Sequence, residues 1–228
     1  MFKRIGFYFF FMTTLSPIKL TCSICKNEFD SSSVMSFGFG SKRTDFRPNY
    51  WGFNPVNYFY HICPHCGFCA VKEIFDNEIE NEKCIKEIKE LGPLNELQSK
   101  VLSNKLERAV QCAYILNKYE VLNYNDYDFG NMWILAYWWS KSKEEEIRYG
   151  NNVINCFKKA LAENLIPEKE EILTVKYLIG EIYRRIGNSD EAIKYYDNVI
   201  LETENDEEFK KLYDLAIQQK TNPKELLE

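Results

Sequence analysis

TCSICKNEF at residues 21–29 and HICPHCGFCA at residues 61–70 are the two stretches that decide the fold of this chain. Each contains one Cys-x-x-Cys hook. Two residues between thiolates let one tight turn present both sulfurs to the same ion, at a metal–sulfur distance of about 2.3 Å. Two hooks in one small module therefore predict a tetrahedral site of the zinc-ribbon type, in which zinc has a structural role. The predicted ligands are Cys22, Cys25, Cys63 and Cys66.

Three more side chains that can bind metal lie beside the second hook, namely His61, His65 and Cys69. His65 lies inside the turn, where its side chain is expected to point away from the ion. His61 and Cys69 fall in flanking strand-like segments, where each can be an additional ligand or a bystander. Cys69 also fits the alternative of a small buried hydrophobe. The sequence therefore predicts four ligands and leaves His61 and Cys69 as alternatives.

The segment between the hooks is rich in glycine, proline and aromatic residues. It reads FGFGSKRTDFRPNYWGFNPVNYFY from residue 37 to residue 60, a composition that predicts loops with short strands. Its rings are interleaved with Lys42, Arg43 and Arg47, a mixture that can stack on bases and bind phosphates. Nucleic acid, RNA in particular, is therefore one predicted partner. In the alternative interpretation, the rings form the core that a small metal module otherwise lacks.

The same segment carries a resemblance to a known family. The order TCxxCxxEF, TDFxPxYxGxNPxxY and CPxCGF resembles an uncharacterised bacterial family, domain of unknown function 2225, over about residues 20 to 220. The chain departs from the usual pattern at Ser23, Lys26, Arg47 and Cys69. The resemblance implies a cysteine-rich module followed by helices, and it leaves the function open. The matching residues are Cys22, Cys25, Phe29, Asp45, Pro48, Tyr50, Asn54, Pro55, Tyr58, Cys63, Pro64, Cys66 and Gly67.

From Glu73 onward, apolar residues recur with the 3.6-residue period of helices. Residues 173–203 resemble a tetratricopeptide repeat, with Gly180 and Ala192 at the small packing positions, although Lys176 stands where the motif has tryptophan. One repeat cannot bury its apolar face alone, so a stack of about three helix pairs is predicted. Six or seven helices are predicted, at about 75–90, 95–119, 128–140, 143–164, 168–186, 189–203 and 206–219.

Together these patterns predict a mostly α fold. A small four-cysteine, zinc-ribbon-like module with short strands precedes an α-helical, tetratricopeptide-like repeat stack. The predicted divisions are an N-terminal extension at 1–19, the metal module at 20–72 and the helical domain at 73–228. In the extension, MFKRIGFYFFF has the basic start of a signal peptide but an apolar run too short to span a bilayer. Met12 is an alternative start of translation, and no membrane association is expected.

Composition and charge narrow the class of protein. The 228 residues are 45% hydrophobic, which excludes a disordered chain. The net charge of −5 divides into +5 for residues 1–72 and −10 for the remainder, and an acidic body is repelled by phosphates, which argues against a dedicated DNA-binding protein. The three other cysteines, Cys84, Cys112 and Cys156, lie singly in helical patterns as buried free thiols do, which favours a reducing cytoplasm.

The helix at 168–186 predicts a groove for a protein or peptide partner. Tyr177, Glu181, Arg184 and Arg185 lie opposite its apolar face, and the rigid donor fork of arginine favours an acidic partner segment. The leading hypothesis is therefore a metal-stabilised adaptor or scaffold protein. No catalytic residues are expected, because both histidines lie beside the second hook and no phosphate loop or nucleophile elbow is present. A thiol redox enzyme is the remaining enzymatic alternative, and the sequence makes no prediction of oligomeric state.

Overall fold

The computed structural model describes residues 13–227, so the predicted alternative start at Met12 lies outside the described residues. Within them, the front half contains six strands: β1 (Thr14–Thr21), β2 (Glu28–Ser36), β3 (Phe39–Lys42), β4 (Pro48–Tyr50), β5 (His61–Ile62) and β6 (Cys69–Ala70). The helices are α1 (Lys72–Phe75), α2 (Glu82–Glu90), α3 (Glu96–Ser99), α4 (Leu102–Lys118), α5 (Asp126–Trp138), α6 (Lys143–Ala162), α7 (Lys169–Ile186), α8 (Ser189–Thr203) and α9 (Lys210–Thr221). The predicted fold class, mostly α with a small strand-containing four-cysteine module, is confirmed.

The strands pair as three antiparallel hairpins, β1 with β2, β3 with β4 and β5 with β6. The longest hairpin pairs Thr14 with Ser36 at one end and Thr21 with Glu28 at the other. The first cysteine hook forms the turn of the β1–β2 hairpin, and the second forms the turn of the β5–β6 hairpin. Each hook is therefore held at both ends by strand hydrogen bonds.

The ends of the longer helices follow local signals in the sequence. Ser142 accepts a hydrogen bond from the backbone N–H of Glu145 and caps α6, while Asn188 does the same for Glu191 and caps α8. Gly187 ends α7 in the left-handed region, at a φ of 95° that disfavours other residues. The second half therefore matches the predicted helices to within a few residues.

Successive helices pack side by side, with close α5–α6, α7–α8 and α8–α9 pairs. Gly180 allows the α7–α8 contact, because a Cβ at that position would lie 3.1 Å from Tyr195 and Tyr196. Trp133 and Tyr137 on the apolar helix α5 are buried in the core that α5, α6 and α7 share. The likeness of these pairs to tetratricopeptide repeats stays a prediction from the sequence. No helix among residues 13–227 is long and apolar enough to cross a membrane.

The core around the cysteines continues into the helical part. Cys22, Cys63 and Cys66 pack in one cluster with Ile88 of α2 and Leu116 of α4. Burial of these apolar side chains stabilises the packing of the hairpins on the helices. The contribution is about 25 cal/mol for each Å² of apolar surface removed from water. The stability of α2 and α4 is therefore coupled to that of the cysteine module.

Candidate metal centre

The two hooks have the same backbone structure although their sequences differ. In the first, the N–H of Lys26 donates to the carbonyl of Cys22 at 2.8 Å, and in the second the N–H of Gly67 donates to that of Cys63 at 2.9 Å. The residue after each second cysteine lies in the left-handed region, with a φ of 63° for Lys26 and 76° for Gly67. This conformation costs a lysine about 1 kcal/mol and costs glycine little. The first hook is therefore the more strained of the two turns.

The four sulfurs of the hooks lie together, all within 4.8 Å of one another. The Sγ of Cys22 is 3.6 Å from that of Cys66, and the Sγ of Cys25 is 3.6 Å from that of Cys63. Tetrahedral ligation with metal–sulfur bonds of about 2.3 Å requires sulfurs separated by about 3.8 Å, whereas a disulfide requires about 2.05 Å. All eight cysteines are free thiols. The arrangement thus fits a four-coordinate metal ion and excludes a disulfide.

The pKa values of the thiols explain why this cluster favours the binding of a cation. A hydrogen bond from Cys66 lowers the pKa of Cys22 to about 5, while burial raises the pKa of Cys63 to about 11. The same hydrogen bond with Cys22 raises the pKa of Cys66 as well. The hydrogen bond from Cys66 therefore favours one thiolate, on Cys22, while burial and the same hydrogen bond disfavour ionisation of Cys63 and Cys66. A divalent ion compensates the negative charge and takes all four sulfurs as thiolates.

The two alternative ligands do not join the cluster. Nδ1 of His61 lies 2.7 Å from the Oγ of Ser31, and burial lowers the pKa of the ring to about 4. The thiol of Cys69 donates to the backbone carbonyl of Lys105 at 3.5 Å. Cys69 is fully buried beside Cys112, which matches its alternative interpretation as a small hydrophobe. Of the alternatives that the sequence leaves open, a role for His61 or Cys69 as an extra ligand is therefore not supported, because the cluster consists of the four hook cysteines.

Gly67 and Gly92 form a matched pair for testing the second hook. Both have positive φ, but a Cβ on Gly67 would lie 2.3 Å from the carbonyl oxygen of Gly92, whereas a Cβ on Gly92 meets nothing within 4 Å. We expect Gly92→Ala to lower the free energy of unfolding by about 1 kcal/mol and Gly67→Ala by about 2 to 5 kcal/mol, because only the latter adds a clash. Urea unfolding of both variants measures this difference, and equal losses would contradict it.

Two of the three basic residues predicted to contact nucleic acid instead donate hydrogen bonds to other residues of the chain. Arg43 donates from Nε to Oδ1 of the buried Asp45 at 3.1 Å. Arg47 donates from Nη1 to the carbonyl of Trp138 at 3.1 Å, and its guanidinium lies 5.0 Å from the ring centroid of Trp139. Lys42 lies over the ring of Phe39. The predicted basic cluster therefore does not present three side chains to a phosphate backbone.

The aromatic residues of the same segment divide into two groups. Phe46, Tyr50, Phe59 and Tyr60 pack against the core that the helices share, which agrees with their interpretation as core residues. The second group lies at the surface, with Phe37, Phe39, Trp51 and Phe53 between 41% and 46% exposed. The aromatic residues of this segment thus contribute both to the core and to the exposed surface.

The predicted groove on α7 is closed by other parts of the chain. Tyr177 is fully buried, and its hydroxyl donates to the backbone carbonyl of Thr44 at 2.9 Å. Arg184 and Arg185 donate to the carboxylate of Glu225 at 3.3 and 2.6 Å. The prediction that these side chains line an open groove with Glu181 is wrong, because residues of the same chain cover them.

Glu181 is the centre of this internal network. Its carboxylate is fully buried and accepts hydrogen bonds from both Arg184 and Arg185, whose Nε atoms lie at 3.0 and 2.7 Å. The other donors are Thr44 Oγ1 at 2.7 Å, the hydroxyl of Tyr196 at 2.7 Å and Nε2 of Gln219 at 3.0 Å. Sequence reasoning found Glu181 but missed its partners Thr44 and Gln219, and it missed Glu225, which binds both arginines. All three lie far from Glu181 along the chain.

Comparison with known proteins gives one assignment. No curated protein and no solved structure matches the chain. A family model described as "Uncharacterized protein conserved in bacteria (DUF2225)" matches residues 15–222, which include both hooks and helices α1 to α9. The chain therefore belongs to this uncharacterised bacterial family, as the order of its cysteine hooks and aromatic motif predicts.

Proposed function

We propose that this protein is a metal-stabilised adaptor, in which the four-cysteine site is structural and the helical part binds a protein or peptide partner. Zinc is the ion that we propose, because four thiolates in a tetrahedron are the donor set that structural zinc takes. Such a set leaves no open coordination position for water. We place this role in the reducing cytoplasm, where the thiols stay available as ligands.

An open groove between α7 and α9 carries the proposal. Its volume is about 640 Å³, within the usual range of ligand pockets, and its walls include Phe46, Phe209, Leu212 and Leu215. The other lining residues include Glu170, Glu208, Lys211 and Asp214. A surface groove that combines large apolar side chains with polar ones favours a protein segment as its occupant. This groove lies toward the N-terminal end of α7 from the closed face, since Glu170 and Thr174 line it while Tyr177, three residues after Thr174, is buried.

Substitution in the groove tests the proposed role. We expect Leu212→Asn to abolish capture of groove partners from a lysate of the native organism, because it places an amide where an apolar side chain must dock. Leu201→Asn is the matched control, since Leu201 is 69% exposed on α8 and lies outside the groove. Quantitative mass spectrometry of proteins bound by the tagged full chain measures the difference, with melting temperatures recorded for both variants.

The outcome is read from the set of proteins captured. Proteins retained by Leu201→Asn and lost by Leu212→Asn support binding in the groove. Identical sets for the wild type and both variants would contradict it.

A further inference from the structure

The segment that follows α9 lies along the loop between β3 and β4 as a short added strand. The N–H of Thr44 donates to the carbonyl of Glu225 at 3.1 Å, and the N–H of Leu227 donates to the carbonyl of Lys42 at 2.9 Å. Arg43 and Leu226 form an antiparallel bridge between these two bonds. Pairing of this kind uses only main-chain groups, so any segment in an extended conformation can form it, and the bonds set the register of that segment.

Two side chains of this segment reach two different places on the surface. Glu225 lies on the arginine pair, with 2.6 Å from Nη1 of Arg185 to its Oε2. Leu227, two residues later, lines the groove between α7 and α9. Residues i and i+2 of an extended chain point to the same side, so an acid followed two positions later by an apolar residue matches this surface.

The segment is anchored at Lys224, whereas the residues after it are partly exposed. The N–H of Lys224 donates to Oε1 of the buried Gln219 at 2.7 Å, and its carbonyl accepts from Nε2 of Gln219 at 2.9 Å and from Oγ1 of Thr44 at 3.0 Å. Beyond this anchor the side chain of Glu225 is 66% exposed in its ion pair, and Leu226 is 51% exposed. A stretch attached by two backbone bonds and partly exposed side chains opens more readily than the anchor. Below it, Thr44, Asp45 and Glu181 are fully buried, and Glu181 fixes both arginines. The surface thus keeps its shape when Glu225–Leu227 leave.

We propose that the surface covered by Glu225–Leu227 is a recognition site for an extended acidic segment of a partner protein. The partner places a carboxylate on Arg184 and Arg185, pairs its backbone with residues 42–44, and inserts an apolar side chain into the groove two residues later. The inference rests on the proposed adaptor function and specifies its partner, with Glu225–Leu227 as the internal competitor. Arginine pairs favour carboxylates through charge-assisted hydrogen bonds, which supplies the selectivity.

A peptide with the sequence of the segment itself is the direct probe. We would label NPKELLE, residues 222–228, and titrate it into the full-length wild type and Glu225→Lys by fluorescence anisotropy. In the wild type the tethered segment competes at an effective concentration in the millimolar range, so the peptide binds weakly. Glu225→Lys places a third cation beside the arginines and releases the segment. We expect this variant to bind the peptide at least about tenfold more tightly.

The control peptide NPKKLLE differs only in the charge of the residue that meets the arginines. We expect it to show no binding to either protein, and we expect NPKELLE to bind more weakly as salt rises. Glu225→Gln repeats the comparison with a neutral side chain of nearly the same size, and melting curves establish that each variant is folded.

Several results would overturn the inference. These are the absence of saturable binding to both variants, equal affinity of wild type and variants, and equal binding of the two peptides. A wild-type dimer that dissociates in Glu225→Lys would assign the surface to a second copy of the chain instead. The capture experiment with Leu212→Asn is independent of this peptide, so groove partners found without peptide binding would leave the adaptor function standing and reject the acidic segment alone.

Discussion

Replacing Cys63 with serine is expected to release the metal, to unfold the cysteine module and to loosen α2 and α4 with it. Cys63 is fully buried, and it belongs to the cluster that contains Ile88 and Leu116 of these helices. Structural zinc contributes about 10 to 16 kcal/mol in zinc-finger peptides, as much as the entire stability of an ordinary domain. Loss of one ligand should therefore affect every element that packs on the site.

Two measurements check this expectation. Elemental analysis after anaerobic purification should find one zinc per wild-type chain and little zinc in Cys63→Ser. Hydrogen exchange should then rise in residues 82–90 and 102–118 and change less in α8, which packs in a separate cluster around Tyr196.

Cys156→Ser is the matched control for the loss of a buried thiol. Cys156 lies on α6, away from the hooks, and its sulfur already lies 3.8 Å from the hydroxyl of Tyr114, so a serine hydroxyl finds a partner there. This variant should keep its zinc. A metal-free wild type, or a Cys63→Ser protein with unchanged zinc and exchange, would refute the site.

Replacing Glu181 with glutamine is expected to lower the free energy of unfolding at neutral pH by about 3 to 5 kcal/mol. The change leaves Arg184 and Arg185 beside a neutral amide in a buried place. The amide nitrogen meets either the donor of Thr44, at the Oε1 position, or the donors of Tyr196 and Gln219, at the Oε2 position. Breaking one partner of a buried charge network costs far more than losing a surface pair. Urea unfolding at pH 7 measures the loss.

The dependence of this loss on pH identifies its origin. Burial would raise the pKa of Glu181, but the hydrogen bond from Arg184 and the charge of Arg185 outweigh it and lower the pKa below its ordinary value. A carboxyl with a lowered folded pKa stabilises the protein above its unfolded pKa of about 4.3, and this contribution disappears as the pH falls through the folded pKa. The difference between wild type and Glu181→Gln should therefore shrink below about pH 4.

Glu191→Gln provides the comparison at the surface. Glu191 pairs with Lys194 on α8, and their hydrogen bond lowers its pKa. We expect little change in stability from this substitution. A loss as small in Glu181→Gln, or one that does not shrink as the pH falls below 4, would contradict the stabilising role of the charged Glu181.

Local signals in the sequence were sufficient for the hooks and for the longer helices. A Cys-x-x-Cys turn needs only a few residues to place two sulfurs, so the four cysteines of the cluster follow from the spacing of the two hooks. Helix ends follow from caps such as Ser142 and from the left-handed Gly187, which act within one turn of the chain. The apolar neighbours of Cys69 in the sequence also favour its interpretation as a small buried hydrophobe, and Cys69 is buried in the structure.

The tertiary structure alone decided which side chains of α7 are covered by other segments of the chain. The amphipathic pattern of the helix shows that Tyr177 and Glu181 lie away from its apolar face, but it does not show what covers them. Their partner Thr44 is 133 residues from Tyr177 and 137 residues from Glu181, and Glu225 reaches the arginines from beyond α9. A polar face can be buried when another segment supplies matching donors and acceptors, and that match between distant segments exists only once the chain has folded.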